Sequence, residues 1–239
     1  MSYLQVDVQM NHYRRLPEVL ARIRVMFDVD CDLNTVKGHL SKDDVLAPLV
    51  QRYAGLRLPG CIDVLEFSIR AILGQQISVK AATTLAQRIC RRYGNKLDEK
   101  LDYPAGIKRN FPSLARLLDA DFANLGLTNT RMATLQRWLS FYQQNPSQFV
   151  NVTDSDDFER CVCQLKGIGP WTANYLAMRG LSLPDAFPAK DLGIIKALSN
   201  QQQCKERITT KEINLMAQSW RPWRAYAAIY LWQSLSDTH

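Results

Sequence analysis

Apolar residues recur at three- and four-residue steps along most of the chain, which is the spacing of one face of an α-helix. This spacing predicts helices over about residues 16–27, 65–73, 79–89, 112–120, 129–144, 155–165, 170–179, 191–198, 211–220 and 222–235. Ser78 is a natural N-cap for the third of them, and Pro170 and Pro222 stand where proline is favoured, in the first turn of a helix. The pattern therefore predicts an all-α protein.

The first residues depart from this pattern. Leu4, Val6, Val8 and Met10 alternate with polar residues, which predicts a strand with one buried face. A single strand cannot satisfy its own backbone groups, and no neighbouring segment offers a convincing partner. The strand either pairs with another chain or is the end of a larger β-containing region.

The composition is that of a globular protein. Of 239 residues, 46% are apolar and 22% are charged, which excludes a disordered or low-complexity chain. The chain is long enough to bury a core without a metal or a disulfide. No apolar run approaches the roughly 18 residues of a membrane span, and the N-terminus lacks the order of a signal peptide. We expect no membrane partner and a cytoplasmic protein, or a nuclear one in a eukaryote.

The chain is basic. Lys and Arg number 30 against 23 for Asp and Glu, so the formal net charge is +7. A basic surface attracts polyanions, and nucleic acid is the most common large one. A merely solvated cationic surface would have the same composition, so the charge alone leaves both interpretations open.

The cysteines and histidines form no metal or nucleophile pattern. The six cysteines include no Cys-x-x-Cys pair, and Cys161 and Cys163 are too close for the usual zinc spacing. The histidines are His12, His39 and His239, two of them near the chain ends. Zinc catalysis and a Ser-His-Asp relay are therefore disfavoured, and the cysteines are interpreted as reduced packing residues.

The most informative stretch is Leu165-Lys-Gly-Ile-Gly-Pro-Trp-Thr-Ala173. A helix is predicted to end at its first residue and another to begin at its proline, so Gly167 and Gly169 lie in the turn between them. Two glycines let the backbone approach a ligand closely, and N–H groups at a helix start favour an anion such as a DNA phosphate. An ordinary helix–helix turn could have the same glycines. Phe-Pro-x-x-Asp, ending at Asp191 twenty residues after Trp171, makes the pattern much more specific.

This stretch resembles the helix-hairpin-helix, Gly/Pro-rich, aspartate motif of the DNA glycosylase superfamily and, within it, the DNA-3-methyladenine glycosylase II (AlkA) branch. Three further stretches are similar to that branch in the same order: Leu56-Arg-Leu-Pro-Gly-Cys61, Arg70-Ala-Ile-Leu-Gly-Gln75 with Ser78-Val79, and Arg221-Pro-Trp-Arg-x-Tyr-Ala227 with Trp232. Together the four cover most of the helical part of the chain, which is far more specific than a single motif.

The resemblance implies two helical subdomains that flank a cleft. One covers about residues 64–183 and bears the helix-hairpin-helix. The other is discontinuous, covers residues 15–63 and 184–239, and contributes the aspartate. Residues 1–14 would be a short strand-like remnant of the β-rich domain that precedes the first helix in the AlkA branch.

The resemblance assigns the catalytic role to Asp191. In the family, the aspartate after the hairpin faces the sugar of an extruded nucleotide. Breaking an N-glycosidic bond puts positive charge on the sugar, which a fixed carboxylate stabilises, and the same carboxylate could orient the attacking water. The structural alternative is that Asp191 is the N-cap of the following helix, and the two roles are compatible.

Trp171 stands where relatives that also cut the DNA backbone have a nucleophilic lysine. Tryptophan has no amine, and Lys166 and Lys190 lie near that position but not at it. The resemblance therefore implies a monofunctional glycosylase, which uses water and leaves an abasic site.

Trp171, Tyr175 and Trp232 match the aromatic pocket of the family, and Gln75 is matched as a further substrate-binding residue. An alkylated purine such as 3-methyladenine or 7-methylguanine carries positive charge, and an aromatic face attracts a cation by about 0.5–2 kcal/mol. Core packing is the alternative for rings that are one helical turn apart. Packing is the favoured interpretation for Trp220, Trp223, Tyr226 and Tyr230.

DNA contacts are expected at Gln76, Lys166, Gly167, Gly169, Thr172 and Lys190. Gln76 stands where the AlkA branch has a leucine wedge, and it would fill the gap left by the extruded base or hydrogen-bond to the orphaned partner base. Lys190 replaces a second carboxylate of that branch, so it would contact a phosphate or favour the ionised form of Asp191.

The family hairpin often holds a monovalent cation, Na⁺ or K⁺, through backbone carbonyls. The matching carbonyls here belong to Cys163, Leu165 and Ile168, and no other cofactor is expected. The iron–sulfur cluster of some relatives needs four thiolates, whereas only Cys204 follows Asp191.

The resemblance thus implies a monomeric base-excision repair enzyme. It would extrude an alkylated purine from double-stranded DNA and hydrolyse its glycosidic bond. Two alternatives stay open at this point: a non-catalytic helix-hairpin-helix DNA-binding module, and a glycosylase for oxidised or mismatched bases.

Overall fold

The computed structural model describes residues 3–10, 13–98, 103, 106–150, 152–201 and 208–236. Its α-helices are α1 (Leu16–Met26), α2 (Leu33–Leu40), α3 (Ala47–Arg52), α4 (Val64–Leu73), α5 (Val79–Tyr93), α6 (Leu114–Leu118), α7 (Asn129–Gln144), α8 (Ser155–Val162), α9 (Pro170–Tyr175), α10 (Leu192–Gln201), α11 (Thr210–Met216) and α12 (Arg224–Ser236). A π-helical turn, Leu176–Gly180, follows α9, and 3-10 turns cover Tyr13–Arg15 and Pro146–Phe149. Within these ranges the chain forms no strand, so the all-α prediction is confirmed.

Polar side chains begin the helices where the sequence predicts it. Ser78 caps α5 by accepting a hydrogen bond from the backbone N–H of Ala81, and Thr128 caps α7 in the same way. Helix α7 spans the predicted residues 129–144. Asp63 caps α4, which later forms one wall of the cleft.

Two predicted helices end or begin elsewhere. The helix predicted over residues 170–179 is α9 followed by the π turn, because the N–H of Leu181 bonds to the carbonyl of Leu176, five residues back, at 3.1 Å. The helix predicted from Pro222 begins at Arg224. The N–H of Trp223 bonds to the carbonyl of Trp220 at 2.8 Å, so Pro222 belongs to a preceding turn and not to the first turn of α12.

The strand predicted over residues 4–10 does not form. Residues 3–10 belong to neither helix nor strand, and Tyr3 and Leu4 are 87% and 51% exposed. No described segment pairs with their backbone, so the alternation of apolar and polar residues has no sheet in which to bury a face. Residues 1–2 and 11–12 of this N-terminal segment lie outside the described part of the chain.

The core is built from contacts between helices, some consecutive in the sequence and others distant. Helix α4 contacts α5, α7 and the π turn, α8 contacts α9, and α12 packs against α3 and α10. Trp220, Tyr226 and Tyr230 are buried, which confirms their predicted packing role, and Trp223 is half-buried. These contacts bring α4, α9 and α12 around one cleft, while the subdomain boundaries at residues 63 and 183 stay a prediction.

Two arginines tie the helix before the hairpin to the helix that completes the cleft. Arg224, at the start of α12, is buried and donates to Asp185 and Asp156, and Arg221 donates to the same two carboxylates. Burial opposes the ionisation of Asp156, but the hydrogen bonds from Arg221 and Arg224 outweigh it and hold the pKa of this carboxyl below its usual value. The cluster therefore links α8 to α12.

The described cysteines, Cys31, Cys61, Cys90, Cys161 and Cys163, are free thiols, as predicted. Cys204, His12 and His239 lie outside the described residues. None of the helices in the described ranges is long and apolar enough to cross a membrane.

Candidate active site

Asp191 accepts four hydrogen bonds at the start of α10. Its Oδ1 accepts from the backbone N–H groups of Gly193 at 2.8 Å and Ile194 at 3.1 Å. The indole N–H of Trp232 donates to the same oxygen at 2.8 Å, and the indole N–H of Trp171 donates to Oδ2 at 2.7 Å. Asp191 is therefore the helix cap that its position predicts, and the two tryptophans fix its carboxylate from the cleft side.

Gly193, Asp191 and Trp232 pack closely at the start of α10. A Cβ on Gly193 would lie 3.0 Å from Asp191 Oδ1 and 3.1 Å from Cδ1 of Trp232. A larger residue at position 193 would have to shift the carboxylate or the indole by a few tenths of an ångström. Each carboxylate oxygen has about two acceptor positions, so Oδ2, with one donor, can still accept from a group in the cleft.

The three predicted aromatic residues are brought together. Trp171 stacks on Tyr175 with ring centroids 5.1 Å apart and an angle of 10° between the planes, and Trp232 meets Tyr175 edge to face at 6.4 Å. On the other side Phe67 of α4 packs against Tyr175 at 5.4 Å. The indoles thus both hold the carboxylate and present apolar surface to the cleft.

The cleft has a volume of about 500 Å³, within the range of small-ligand sites. One wall comes from α4, α5 and their connection: Phe67, Arg70, Ala71, Gly74, Ile77, Val79, Ala82 and Thr83. The other comes from α9, the π turn, α10 and α12: Trp171, Tyr175, Arg179, Asp191 and Trp232. Asp191 is the single carboxylate among these lining residues.

The two hairpin glycines serve different purposes. Gly167 has a φ of +104°, and a Cβ there would lie 2.1 Å from Oγ1 of Thr134 on α7, so only glycine fits. Gly169 precedes α9, and a Cβ there would meet no protein atom within 4 Å. Packing explains the first glycine, whereas the open space at the second is what close approach of a ligand to the backbone requires.

Gln75 and Thr172 brace the hairpin. Nε2 of Gln75 donates to the carbonyl of Gly167 and to Oγ1 of Thr172, each at 3.0 Å, and Thr172 is only 4% exposed. These contacts support the hairpin, and the roles of Gln75 in substrate binding and of Thr172 in DNA binding stay predictions. Gln75 is not among the described residues that line the cleft, and the side chain of Thr172 is buried.

Gln76 projects into solvent from a constrained turn. Its φ of +57° is unusual for a residue with a side chain, and Gln76 is exposed. The preceding carbonyl, that of Gln75, accepts a hydrogen bond from Nη2 of Arg131 at 2.5 Å. The turn after α4 is thus fixed to α7, beside the hairpin, with the Gln76 side chain outside.

Lys190 and Asp191 lie on opposite sides of Trp171. Lys190 is exposed and lines a separate cavity of about 210 Å³ with Glu159 and Asn174, whereas Asp191 lines the main cleft. A phosphate contact of Lys190 and its effect on the Asp191 carboxylate both stay predictions.

Sequence reasoning gave no role to four further residues of this region. Phe67 and Arg179 line the cleft, while Arg131 and Arg137 donate to the carbonyls of Gln75 and Lys166. Arg179 follows Tyr175 by four residues, as Tyr175 follows Trp171, and this helical spacing was the available signal. Arg131 and Arg137 of α7 contact segments that are far away in the sequence, so no local pattern predicts these contacts.

A helix-hairpin-helix beside an aromatic cleft that holds a capped aspartate defines a class of DNA repair protein. The chain matches the family model described as HhH-GPD superfamily base excision DNA repair protein over residues 69–224, and the AlkA N-terminal domain over residues 1–63. The chain belongs to the HhH-GPD superfamily, and the predicted resemblance is confirmed.

Named relatives place it within that superfamily. DNA-3-methyladenine glycosylase 2 of Escherichia coli is 34% identical over 218 residues, which are 90% of this chain and 71% of the relative. The probable bifunctional transcriptional activator/DNA repair enzyme AlkA of Mycobacterium tuberculosis is 33% identical over 235 residues, 95% of this chain but 44% of the relative. The chain thus spans less than half the length of the mycobacterial protein.

The fold is shared with a solved structure, the 3-methyladenine DNA-glycosylase from Archaeoglobus fulgidus. The TM-score is 0.74 at 23% sequence identity, and the match covers 93% of this chain and 76% of that one. The helical architecture therefore belongs to an established fold.

Proposed function

We propose that the protein is a base-excision repair glycosylase that extrudes an alkylated purine from duplex DNA and hydrolyses its N-glycosidic bond. The observation that carries this proposal is the Asp191 carboxylate, fixed by four N–H donors and lining an aromatic cleft beside the hairpin. Family membership and the names of the relatives support the same reaction class.

The residues suit the charges of this reaction. As the bond between C1′ and the purine nitrogen breaks, its electron pair leaves with the base and positive charge develops on the sugar. A methylated purine that is cationic in DNA leaves as a neutral base. Water then adds to C1′ and releases a proton, and the product is an abasic site. Asp191 would stabilise the cationic sugar, and the rings of Trp171 and Tyr175 would hold the base.

The same residues favour a monofunctional reaction. Trp171 has no amine, Lys190 opens into a different cavity, and the lysine at 166 lies on the exposed hairpin. No lysine is among the described residues that line the main cleft. A Schiff base with C1′ has no candidate nucleophile there.

DNA would lie across the hairpin and the turn after α4. The open space at Gly169 lets a phosphate approach the backbone, and Lys166 and Lys190 are exposed cations that could contact the DNA backbone. Gln76 would enter the duplex in place of the extruded base, because its turn projects it outward.

The carbonyls of Cys163, Leu165 and Ile168 fit a monovalent cation. Helix α8 ends at Val162, so carbonyls beyond it have no intrahelical donor, and Leu165 O accepts one hydrogen bond, from Ile168 N at 2.9 Å, which leaves a lone pair. A bound cation would supply positive charge beside the phosphate. We expect K⁺ to raise DNA affinity above that in choline chloride of equal ionic strength.

Methylated duplex DNA tests the enzyme proposal. The wild type should release free alkylated purines and Asp191→Asn should not, with Asp32→Asn as the matched control because Asp32 caps α2 outside the cleft. Release by neither protein above the spontaneous rate would leave the non-catalytic DNA-binding module. Equal release by wild type and Asp191→Asn above that rate would contradict the assignment of catalysis to Asp191. Borohydride should trap no covalent adduct, and a trapped adduct would contradict the monofunctional proposal.

A further inference from the structure

Arg179 is a cation in the cleft wall that the proposed reaction does not use. It is half-buried and lines the same cleft as Trp171 and Asp191. Its Nε donates to the carbonyl of Pro59 at 2.5 Å, whereas its two terminal nitrogens have no hydrogen-bond partner within the described ranges. The terminal nitrogens are therefore available to a ligand.

The position of Arg179 follows from the helix that carries the aromatic rings. Residues 171, 175 and 179 are four apart, so they lie along one side of α9 and the π turn. Trp171 contacts Asp191 at one end of this row, Tyr175 stacks on Trp171, and Arg179 follows at the other end. With the sugar at Asp191 and the base along the rings, Arg179 is placed at the far edge of the base.

A tight contact holds the guanidinium in place. A Cβ on Gly60 would lie 2.8 Å from Oγ of Ser182, and the thiol of Cys61 donates to the carbonyl of Gly180 at 3.5 Å. The Leu-Pro-Gly-Cys stretch thus packs directly on the end of the π turn, and its Pro59 carbonyl receives the Arg179 Nε. This explains a motif for which the reaction itself gives no role.

We propose that Arg179 determines specificity by donating hydrogen bonds to an oxygen at C6 of the extruded purine. The proposal rests on the proposed function. In 7-methylguanine this position is a carbonyl, whereas in 3-methyladenine it is an amino group. A guanidinium has donors only, so it pairs with the carbonyl and not with the amino group. Both bases are cationic in DNA, so repulsion by Arg179 acts on both and does not separate them.

One digest measures both lesions at once. Duplex DNA treated with dimethyl sulfate contains 7-methylguanine and 3-methyladenine, and chromatography of the released bases, corrected for spontaneous loss, gives both initial rates. In Arg179→Met the ratio of 7-methylguanine to 3-methyladenine release should fall about tenfold, the loss expected for one hydrogen bond from a charged donor. In Arg179→Lys, which keeps one donor group, the ratio should fall less.

The matched control is Arg92→Met. Arg92 also donates to a backbone carbonyl, that of Ala123 at 3.0 Å, but it lies outside the cleft, so its removal should leave the ratio unchanged. If Arg179→Met slows both lesions equally, Arg179 is structural or contacts a phosphate, and the proposal is overturned. If Arg179→Met does not fold, an unchanged ratio in Arg179→Lys overturns it. Release of neither base by the wild type would instead defeat the proposed function itself.

Discussion

The cleft around Asp191 and the hairpin around Gly167 use hydrogen bonds in opposite ways. In the cleft, four N–H donors converge on one carboxylate and fix a negative charge. In the hairpin region, side-chain donors converge on backbone carbonyls: Gln75 on Gly167, and Arg137 on Lys166. The first arrangement suits a developing cation, and the second covers carbonyls on a surface that would otherwise repel a phosphate.

Helix α9 joins the two regions. Gly169 precedes it, and Trp171 in its first turn already belongs to the cleft. Chemistry and DNA binding are thus assigned to different atoms only a few residues apart. Substitutions in the two regions should therefore change different measured quantities, and the following predictions are arranged to separate them.

Among the substitutions that compare these two regions, the largest effect is expected on stability, at Gly167. An alanine there combines a φ of +104° with a Cβ 2.1 Å from Thr134, so Gly167→Ala should lower the free energy of unfolding by about 3 kcal/mol. Gly169→Ala meets open space and should cost about 1 kcal/mol or less. Denaturant unfolding measures both free energies. Equal decreases in the two variants would contradict the different packing of Gly167 and Gly169.

The next effect is on the rate of base release. Trp171→Phe and Trp232→Phe each keep a ring but remove one N–H donor to Asp191, so each should slow single-turnover release about tenfold, equivalent to ~1.4 kcal/mol. The dissociation constant for DNA should change little. Trp138→Phe also removes an indole N–H, donated to Ser68 in the core, and should lower stability while leaving the rate unchanged. Rates unaffected at both cleft tryptophans would refute their role in fixing the carboxylate.

Features that depend on neighbouring residues, such as helix ends and helix caps, could be predicted from the sequence. The helical spacing predicted both ends of α7, and the type and position of Asp191 predicted a helix cap. The catalytic role of Asp191 came from the family resemblance alone. The indole contacts to Asp191 could not be predicted, since Trp232 reaches it from 41 residues away. Sequence reasoning failed at residues 4–10 for a related reason: alternation describes a face, but a strand needs a partner.

Gln75 and Thr172 also show that contacts between residues distant in sequence cannot be predicted from local patterns. Gln75 and Thr172 match positions of the family motif, so the resemblance implied substrate and DNA contacts for them. Their bond to each other spans 97 positions, and nothing local separates a polar group that faces a ligand from one that satisfies the fold.

A smaller effect is expected on DNA affinity at Gly169. Since the structure leaves the space beside its backbone open, a methyl group from Gly169→Ala should obstruct a phosphate and weaken binding of undamaged duplex DNA about threefold, equivalent to ~0.7 kcal/mol. The release rate at saturating enzyme should stay near that of the wild type. Fluorescence anisotropy gives the affinity, and an unchanged dissociation constant would argue against contact at this backbone.

The smallest effect is expected at the ion-pair cluster of Asp156 with Arg221 and Arg224, which links α8 to α12. Hydrogen bonds from Arg221 and Arg224 lower the pKa of Asp156 despite its burial, so its stabilising contribution is present at neutral pH and is lost as the pH falls through this lowered pKa. The difference in unfolding free energy between wild type and Asp156→Asn should therefore shrink on acidification below about pH 4. Denaturant curves at pH 7 and pH 3 test this, and a constant difference would contradict it.

The most direct test of the central claim is the single-turnover rate of base release by Asp191→Asn, measured with the dissociation constant for the same methylated duplex. Loss of the carboxylate opposite a cationic sugar should lower the rate at least about a thousandfold while the dissociation constant stays within about threefold of wild type. A rate near that of the wild type, or a rate and an affinity that fall together, would contradict the assignment of catalysis to Asp191.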